Sequence, residues 1–312
     1  MELAHISKLL EKVAPKPPPL QVTDVRDFIQ MQLPSRETIL SPWLPAQGLA
    51  MIYAPRGVGK THVALGIAYA VASNTSFLGW QPPKAHGVLY LDGEMPAALM
   101  QERLSALVKT ELLAPFKLIT PDLQKNAMPD LAKYEGQMML SPYLEDIDLI
   151  IVDNISTLCR YVKENEADSW RPVQEWALSM RAAGKSVLFI HHAGKGGHQR
   201  GTSKREDILD TVIVLKRPED YKAKDGAVFE IHFEKARGFL GTDAQSFEAQ
   251  LITKPNEPIQ WVTRPLQDGS YEQVVHLANK GHSQKEIAMQ MNLHKSNVSR
   301  NIKRAHQEGL LI

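Results

Sequence analysis

The glycine-rich stretch YAPRGVGKT, residues 53–61, restricts the possible folds of this chain more than any other feature. It follows the apolar run LAMIY (49–53), which predicts a buried strand, and leads into THVALGIAYAVAS (61–73), whose apolar residues have helical spacing. A glycine-rich loop between a strand and a helix can direct backbone N–H groups, together with the positive end of the helix dipole, at an anion. The stretch therefore predicts a phosphate-binding loop in a strand–loop–helix unit.

The predicted phosphate-binding loop runs from Ala54 to Thr61, with Ala54 in place of the first glycine of the consensus. We expect Lys60 to reach the β- and γ-phosphates of a nucleotide, and the Thr61 hydroxyl to complete the coordination shell of Mg²⁺. A chance Gly-Lys-Thr turn before a helix is the alternative interpretation. The predicted nucleotide-binding residues are Ala54, Pro55, Arg56, Gly57, Val58, Gly59, Lys60, Thr61 and His62.

Apolar runs alternate with helical patterns between residues 41 and 262, which predicts an α/β fold with a central, mostly parallel sheet. The strand-like runs of that sheet are 49–53, 87–92, 116–119, 148–153, 186–192 and 210–215. Residues 227–238 and 246–252 alternate in polarity like antiparallel edge strands. The predicted domains are an N-terminal extension with a Pro-rich linker (1–40), the α/β domain (41–262), a linker (263–270) and a small all-helical domain (271–312).

Two acidic segments end predicted strands of the sheet. LIIVDN places Asp153 after four apolar residues, where its carboxylate can hold Mg²⁺ through water. LYLDGEMP places Asp92 and Glu94 after the strand that follows the phosphate-loop helix, where a carboxylate can orient and deprotonate an attacking water. We favour Glu94 as this base, because Asp92 lies nearer the strand and can instead position metal or backbone. A strand cap at Asp153 and a simple turn at Asp-Gly-Glu are the alternatives.

These residues resemble the RecA-like ATPase core, in which an acid ends the strand after the phosphate-loop helix. Within that superfamily, residues 40–262 are similar to the plasmid-type hexameric replicative DNA helicases and their ATPase relatives. The segments that carry this closer resemblance are FIHHAGKGGHQRGTSKREDILDTVIVL (189–215) and FEKARGF (233–239). The resemblance implies a RecA-like P-loop fold that binds ATP with Mg²⁺ and assembles into a homo-oligomeric ring, with a hexamer as the expected size.

The first of these segments contains His191 and His192, which end a strand expected beside the Asp153 strand. One of the two imidazoles can therefore sense the γ-phosphate, and both are catalytic candidates. The Gly-rich, basic loop that follows corresponds in the family to a loop that contacts single-stranded nucleic acid in the ring channel. A solvated surface loop is the alternative, and the loop has no aromatic residue for base stacking. The predicted DNA-contacting residues of this loop are Lys195, His198, Lys204 and Arg205.

Three cations resemble residues that related helicases place in a neighbouring subunit's active site. Arg200, in QRGTS, resembles an arginine of this kind. Lys235 and Arg237, in EKARG, resemble a Lys-x-Arg pair that contacts the γ-phosphate across the interface, and their spacing on a strand predicts that they face the same side. Because such residues have no use in a monomer, they predict an assembly of identical copies. An exposed basic edge strand is the alternative.

The last segment, residues 271–312, has a purely helical pattern that predicts three short helices. Ser283 and Glu286 form a capping box for the second helix. The unit resembles a helix-turn-helix, whose third helix would enter the major groove of duplex DNA, and a protein-docking module is the alternative. The predicted outward-facing residues of the third helix are Lys295, Asn297, Arg300, Asn301 and Arg304.

Composition excludes several classes of protein. Lys and Arg total 36 against 35 for Asp and Glu, so no global charge indicates nucleic acid or membrane as a partner. The single cysteine, Cys159, excludes a disulfide framework, and its spacing from the histidines does not make a zinc site. No run of about 18 apolar residues could span a bilayer, and the N-terminus lacks a secretory signal pattern. We therefore expect a cytoplasmic protein without membrane contact.

Three functions fit these features. The favoured one is an ATP-dependent, ring-forming DNA helicase or translocase of plasmid, phage or mobile-element replication. The second is a nucleotide-switched DNA-binding regulator, or a recombination or loader ATPase, that does not unwind DNA. The third is a small-molecule P-loop kinase, for which the sequence offers neither a recognisable acceptor pocket nor a use for the basic tail.

Overall fold

The structure is a computed structural model, and it divides the chain into two compact units, Met1–Arg36 and Glu37–Ile312. Helix α1 (Val25–Gln30) belongs to the first unit and is capped by Asp24, whose carboxylate accepts a hydrogen bond from Arg26 N. The Pro-rich linker lies outside the described residues. The residues that the structure describes are 21–33, 35–161, 167–194, 203–218, 221–222, 226–252, 259–266, 269–291, 293 and 295–311.

The second unit contains all the described strands and the other described helices. Its strands are β1 (Thr38–Leu40), β2 (Leu44–Pro45), β3 (Leu49–Ala54), β4 (Val88–Asp92), β5 (Phe116–Ile119), β6 (Leu149–Asp153), β7 (Ser186–His192), β8 (Thr211–Lys216), β9 (Val228–Ala236), β10 (Phe247–Ile252) and β11 (Gln260–Pro265). Its α-helices are α2 (Lys60–Ser73), α3 (Ala97–Leu107), α4 (Tyr134–Met138), α5 (Ile155–Leu158), α6 (Arg171–Ala182), α7 (Gly269–Asn279), α8 (Gln284–Gln290) and α9 (Lys295–Gln307).

Nine of these strands form one sheet in the order β11-β10-β9-β8-β3-β7-β6-β4-β5, and β1 pairs separately with β2. β3 pairs in parallel with β7 and β8, β4 with β5 and β6, and β6 with β7, whereas the strands from β8 to β11 pair antiparallel. The predicted α/β fold class with a central, mostly parallel sheet is confirmed. The histidine strand β7 lies beside the Asp153 strand β6, as expected. Sequence analysis missed β11, the antiparallel edge strand.

The sheet is buried on both faces. β3, β4, β6 and β7 have every residue buried, which explains their continuous apolar runs. α2 packs on one face and is apolar around most of its circumference, so nearly the whole helix is buried. Gly66 allows close packing of this helix, because a Cβ there would lie 2.2 Å from the Phe77 ring. α6 covers the other face with Val173 and Trp176.

The carboxyl ends of the parallel strands meet at one edge of the sheet. Ala54 of β3 is level with His192 of β7, and Asp92 of β4 is level with Asp153 of β6. The phosphate-binding loop follows β3 at the same edge. The topology alone therefore brings together the loop, the two acidic segments and the histidines, which are far apart in sequence.

The three C-terminal helices, α7, α8 and α9, surround a small apolar core, which confirms the predicted helices. The capping box of α8 is present: Ser283 Oγ accepts from Glu286 N at 3.3 Å, and Glu286 Oε2 accepts from Ser283 N at 2.8 Å. The helix-turn-helix identity of this unit stays a prediction. Within the described ranges, no helix has the length and apolar character needed to cross a membrane. The buried residues of the small core are Val274, Leu277, Ile287, Ala288 and Val298.

Candidate active site

The phosphate-binding loop joins β3 to α2 and has the backbone shape that its glycines predict. Gly57 and Gly59 have φ angles of +75° and +122°, a region that residues with side chains rarely adopt. Lys60 begins α2, and its Nζ donates hydrogen bonds of 2.9 Å to the carbonyls of Ala54 and Pro55. Burial lowers the pKa of Lys60 to about 8, although the charges of Asp153 and Glu94 oppose this effect. The amine expected to meet the phosphates is thus already held at the loop.

A cavity of about 620 Å³ opens over this loop at the carboxyl edge of the sheet. The predicted nucleotide-binding residues that line it are Arg56, Gly57, Gly59, Lys60, Thr61 and His62. Val58 turns its side chain into the core instead, and Ala54 and Pro55 contribute the carbonyls that hold Lys60. The predicted catalytic residues that line the same cavity are Glu94, Asp153 and His192.

Asp153 and Thr61 have an arrangement that fits a Mg²⁺ site. Asp153 ends β6, is buried, and accepts hydrogen bonds from the Tyr90 hydroxyl, at 2.6 Å, and from the Thr61 side chain. Burial raises the pKa of Asp153 to about 6, because the buried site disfavours the charged carboxylate. A bound cation would stabilise this charged form. Because two oxygen ligands lie within hydrogen-bond reach of each other beside the phosphate loop, these residues could hold a hydrated Mg²⁺.

The Asp-Gly-Glu turn after β4 separates the positions of its two acids. Asp92 is buried, and its carboxylate accepts from the backbone N–H groups of Glu94 and Met95 at 3.4 and 3.1 Å and from the Thr120 hydroxyl at 3.1 Å. The Glu94 side chain is 52 % exposed, with Oε1 3.8 Å from His192 Nε2. Asp92 therefore holds the turn, and Glu94 faces the cavity from it. The role of Glu94 as the base stays a prediction.

The two histidines that end β7 point to opposite faces of the sheet, because successive side chains of a strand alternate. His192 lines the cavity, and burial, followed by the charge of Lys60, lowers its pKa, so its imidazole is uncharged at neutral pH. His191 is not among the cavity residues, and its Nε2 lies 2.9 Å from Nη1 of Arg205. The prediction that both histidines are catalytic is corrected here: of the two, His192 is the one placed to sense a γ-phosphate.

The predicted contact between Arg205 and DNA does not fit the position of this residue. Only 2 % of Arg205 is exposed, and its guanidinium lies 5.3 Å from the Trp170 ring as well as beside His191. A guanidinium buried between an imidazole and an aromatic ring cannot reach a nucleic acid chain. We therefore remove Arg205 from the predicted DNA contacts. Three other predicted residues of this loop lie outside the described residues: Lys195, His198 and Arg200. The side chain of Lys204 also lies outside them.

Lys235 and Arg237 lie at the edge of the sheet opposite the cavity. The backbone N–H of Arg237 donates to the Asp210 carbonyl, and Asp210 Oδ2 accepts from Leu49 N at the start of β3. Since β3 has six residues, roughly 17–20 Å separates this edge from the phosphate loop. Lys235 lies in β9, where its ammonium donates to the Glu206 carbonyl, whereas Arg237 is exposed just beyond the strand rather than within it. In the part of the chain that the structure describes, neither cation lines the cavity.

The predicted outward-facing residues of α9 differ in their contacts. Arg304 is engaged within its own unit: its Nε donates to Glu308 Oε1 at 2.7 Å, and its guanidinium lies 4.3 Å from the Tyr271 ring. The Arg304 side chain nevertheless remains 57 % exposed, so its contact with DNA stays a prediction. The remaining predicted residues of α9 are Lys295 and Arg300, which are exposed, Asn301, which is half-buried, and Asn297, whose side chain lies outside the described residues.

Sequence analysis missed several contributors to the site. Arg103 of α3 lines the cavity, and its charge adds to the burial that lowers the pKa of His62 to about 4. Arg217 follows β8 and donates to the Gly57 carbonyl at 3.1 Å, at the rim of the loop. Tyr90 lies inside an apolar strand and holds Asp153 from there. No sequence signal distinguishes these residues, since a lone arginine is ordinary on a protein surface and a tyrosine in a strand is ordinary in a core.

Comparisons with known proteins found two similarities. Among solved structures, a KaiC-like protein from the hyperthermophilic archaeon Pyrococcus horikoshii OT3 is 13 % identical in sequence; 75 % of this chain and 96 % of that chain are covered, with a TM-score of 0.49. The model of a protein family described as an AAA domain matches residues 14–198, more than half of the chain. That match includes the phosphate loop, Glu94 and Asp153. The chain therefore belongs to the AAA domain family and is a P-loop ATPase.

Proposed function

We propose that this ATPase is a ring-forming DNA helicase or translocase of plasmid, phage or mobile-element replication, which hydrolyses ATP at the seams between identical copies. One observation carries the proposal. The cavity gathers Lys60, Asp153 and Glu94 at one edge of the sheet, whereas Lys235 and Arg237 lie roughly 17–20 Å away at the other edge. Cations at that distance cannot contact a γ-phosphate held by their own loop, and a ring such as a hexamer would bring them to the next copy's loop.

Within one chain, the cavity supplies phosphate binding and proton transfer. The backbone N–H groups of the loop and the Lys60 ammonium bind the β- and γ-phosphates. Glu94 takes a proton from the attacking water, whose oxygen bonds to the γ-phosphorus as the bond to the β-phosphate oxygen breaks. His192, 3.8 Å from Glu94, can report the loss of the γ-phosphate. Thr61 and Asp153 would hold Mg²⁺, which would supply positive charge to the phosphate oxygens.

The edge cations would complete the site of a neighbouring copy. Arg237 is exposed, and its planar guanidinium can donate two N–H groups to phosphate oxygens. Lys235 lies two residues before Arg237, and burial together with the charge of Arg237 lowers the pKa of Lys235. A site divided in this way would be slow in a monomer and fast in a ring, because an arginine supplied by another subunit can accelerate phosphoryl transfer by orders of magnitude.

The proposed DNA contacts come from two parts of the chain. α9 presents Lys295, Arg300 and Lys303 at exposed positions, which suits contact with duplex phosphates if this unit acts as a helix-turn-helix. The basic loop that contains Lys195 and Arg200 would contact a single strand within the ring. Both contacts are proposals. Contacts with phosphates would not depend on the base sequence of the DNA.

A second function, a nucleotide-switched DNA-binding regulator or loader ATPase that does not unwind DNA, is favoured by one observation. Arg205, one of the predicted channel cations, is buried beside Trp170 and His191. Its burial lowers the positive charge available to hold a moving single strand, whereas α9 keeps its exposed cations. Such a protein would bind duplex DNA in one nucleotide state and release it in another.

A forked-duplex unwinding assay with ATP and Mg²⁺ separates these two functions. We expect the wild-type protein to separate the strands. The Glu94→Gln variant should bind ATP and DNA without separating the DNA strands, because an amide cannot accept the proton of the attacking water. A wild-type protein that hydrolyses ATP and binds duplex DNA, yet leaves the fork intact, would overturn the helicase and support the regulator. ATP hydrolysis at the full rate by a protein that stays monomeric would overturn the proposal that two copies form each active site.

A further inference from the structure

A hydrogen bond connects the strand that leads into the phosphate loop with the strand that carries the edge cations. Tyr53 precedes Ala54 at the end of β3, and its hydroxyl donates to Glu234 Oε2 of β9 at 2.5 Å. β8 lies between these two strands, so the two side chains span a backbone separation of roughly 10 Å. The sheet is held without this contact, because β8 pairs with both β3 and β9 through its backbone. Neither phosphate binding nor proton transfer in the cavity uses it.

The Tyr53 end of this bond lies next to backbone that responds to phosphates. The Ala54 and Pro55 carbonyls each accept a hydrogen bond of 2.9 Å from Lys60 Nζ. An ammonium has three N–H donors, so these two bonds leave one donor. Contact of Lys60 with both the β- and γ-phosphates takes two donors, and at least one carbonyl must then give up its bond. Nucleotide binding therefore changes the restraints on the backbone that directly follows Tyr53, whose ring is packed in the core.

The Glu234 end of the bond lies next to the edge cations. Lys235 follows Glu234 directly, and Arg237 lies three residues after it, roughly 10 Å along an extended chain. Just beyond β9, the Arg237 N–H donates to the Asp210 carbonyl at 3.0 Å. Glu234 is itself exposed, and its bond to the Tyr53 hydroxyl connects it to β3. A hydrogen bond to a carboxylate is stronger than one between neutral groups, which suits a connection that transmits a displacement.

We propose that Tyr53 and Glu234 are positioning residues that couple the phosphate loop of one copy to the cations that this copy presents to the next. Phosphate binding would shift the end of β3, and the hydrogen bond would pass this shift to β9 and so to Arg237. Nucleotide in one copy would thereby change the rate of hydrolysis in the adjoining copy, which makes turnover cooperative. The inference rests on the proposed function, because it needs active sites that two copies share.

The first test measures the initial rate of hydrolysis by the assembled protein as a function of ATP concentration. We expect a sigmoidal curve for the wild type and a Hill coefficient of about 1 for Tyr53→Phe, which lacks only the hydroxyl. Glu234→Gln should keep the sigmoidal curve, because its amide oxygen can accept the same bond, and Glu234→Ala should lose it. Tyr69→Phe is the matched control. The Tyr69 hydroxyl of α2 bonds to Thr110 Oγ1 at 2.7 Å, so its removal should lower stability at least as much and leave the Hill coefficient unchanged.

The second test follows β9 itself, by hydrogen–deuterium exchange with and without a nonhydrolysable analogue of ATP and Mg²⁺. Because the connection lies within one chain, the nucleotide should change the exchange of peptides from β9 even at dilutions where the protein is monomeric. The change should persist in Glu234→Gln and disappear in Tyr53→Phe at saturating nucleotide. A change that Tyr53→Phe retains, or one that requires assembly, would overturn the proposed connection.

Two outcomes separate the coupling from the shared active site. Equal Hill coefficients in the wild type and Tyr53→Phe, when mixing Lys60→Ala with Arg237→Ala restores turnover, would overturn the coupling and leave the shared site intact. Mixed assemblies that form and stay inactive would overturn the shared site and the coupling with it. Reduced stability of Tyr53→Phe, with the Hill coefficient and the nucleotide response of β9 both unchanged, would mean that the bond only holds the sheet together.

Discussion

The Tyr90 hydroxyl donates a hydrogen bond of 2.6 Å to Asp153 Oδ2 and so connects β4 to β6 at the nucleotide cavity. Burial raises the pKa of Asp153 to about 6, and the Tyr90 contact opposes this rise. Since the hydroxyl donates to the charged carboxylate, it favours the form that can hold Mg²⁺. This pair therefore controls how readily the site accepts a cation near neutral pH.

Tyr90→Phe should shift the acid side of the ATPase pH profile upward. Asp153 loses its charge as the pH falls through its pKa, so wild-type activity at limiting Mg²⁺ should fall below about pH 6. Without the hydroxyl the pKa rises further, and we expect the fall roughly half a pH unit or more higher. Raising Mg²⁺ should move both profiles to lower pH, because the cation competes with the proton. Superimposable kcat/KM profiles for the two proteins would contradict this prediction.

Thr120→Val should slow hydrolysis without weakening ATP binding. The Thr120 hydroxyl donates to Asp92 Oδ2 at 3.1 Å, and the same carboxylate holds the backbone of the turn that carries Glu94. Valine keeps the shape and removes the hydrogen bond, so we expect kcat to fall about 3- to 10-fold with KM nearly constant, and the free energy of unfolding to drop by about 1 kcal/mol. Thr120→Ser, which keeps the hydroxyl, is the control. Loss of stability with unchanged kcat would mean that the turn does not need this contact.

Mixed assemblies test whether Arg237 acts on another copy. Lys60→Ala should reduce hydrolysis on the order of a hundredfold or more with the fold intact, because a cation beside the transferred phosphate is lost. Arg237→Ala should reduce hydrolysis by a similar factor, but the site that it slows should be the one in the neighbouring copy. Mixing the two variants should restore part of the turnover, since some seams pair an intact loop with an intact arginine. Mixed assemblies that form, by mass measurement, and stay inactive at every ratio would argue against this role.

Removal of the exposed cations of α9 tests contact with duplex DNA. The double variant Lys295→Ala, Arg300→Ala should weaken duplex binding equally across sequences and lower the magnitude of the salt slope by about 1.8. The double variant Lys280→Ala, Lys285→Ala is the matched control, because it removes the same charge from exposed positions outside α9. The measurement is anisotropy of a labelled duplex at several salt concentrations. Equal loss in both variants would show that general charge, and not the α9 surface, binds the duplex.

Local pattern was sufficient for the parts of the site that are contiguous in sequence. The phosphate loop with Lys60 and Thr61, and the acids Asp153 and Glu94, could be found because each follows an apolar strand at a recognisable position. The two histidines could be found but not separated, because the face that each one takes depends on which side of β7 meets the cavity. The predicted DNA contact of Arg205 was wrong for a related reason. A basic residue in a polar stretch carries no sign that it will be buried beside Trp170.

The sequence by itself determined the strand–loop–helix unit, the α/β class and the three C-terminal helices, since strand and helix periodicity and glycine conformation are properties of neighbouring residues. Only the tertiary structure decided that His192 rather than His191 lines the cavity, that Tyr90 holds Asp153, and that Arg237 lies a strand's length from its own loop. These relationships join residues far apart in the chain. They depend on strand order and register, which arise from packing the whole sheet and are encoded in no single segment.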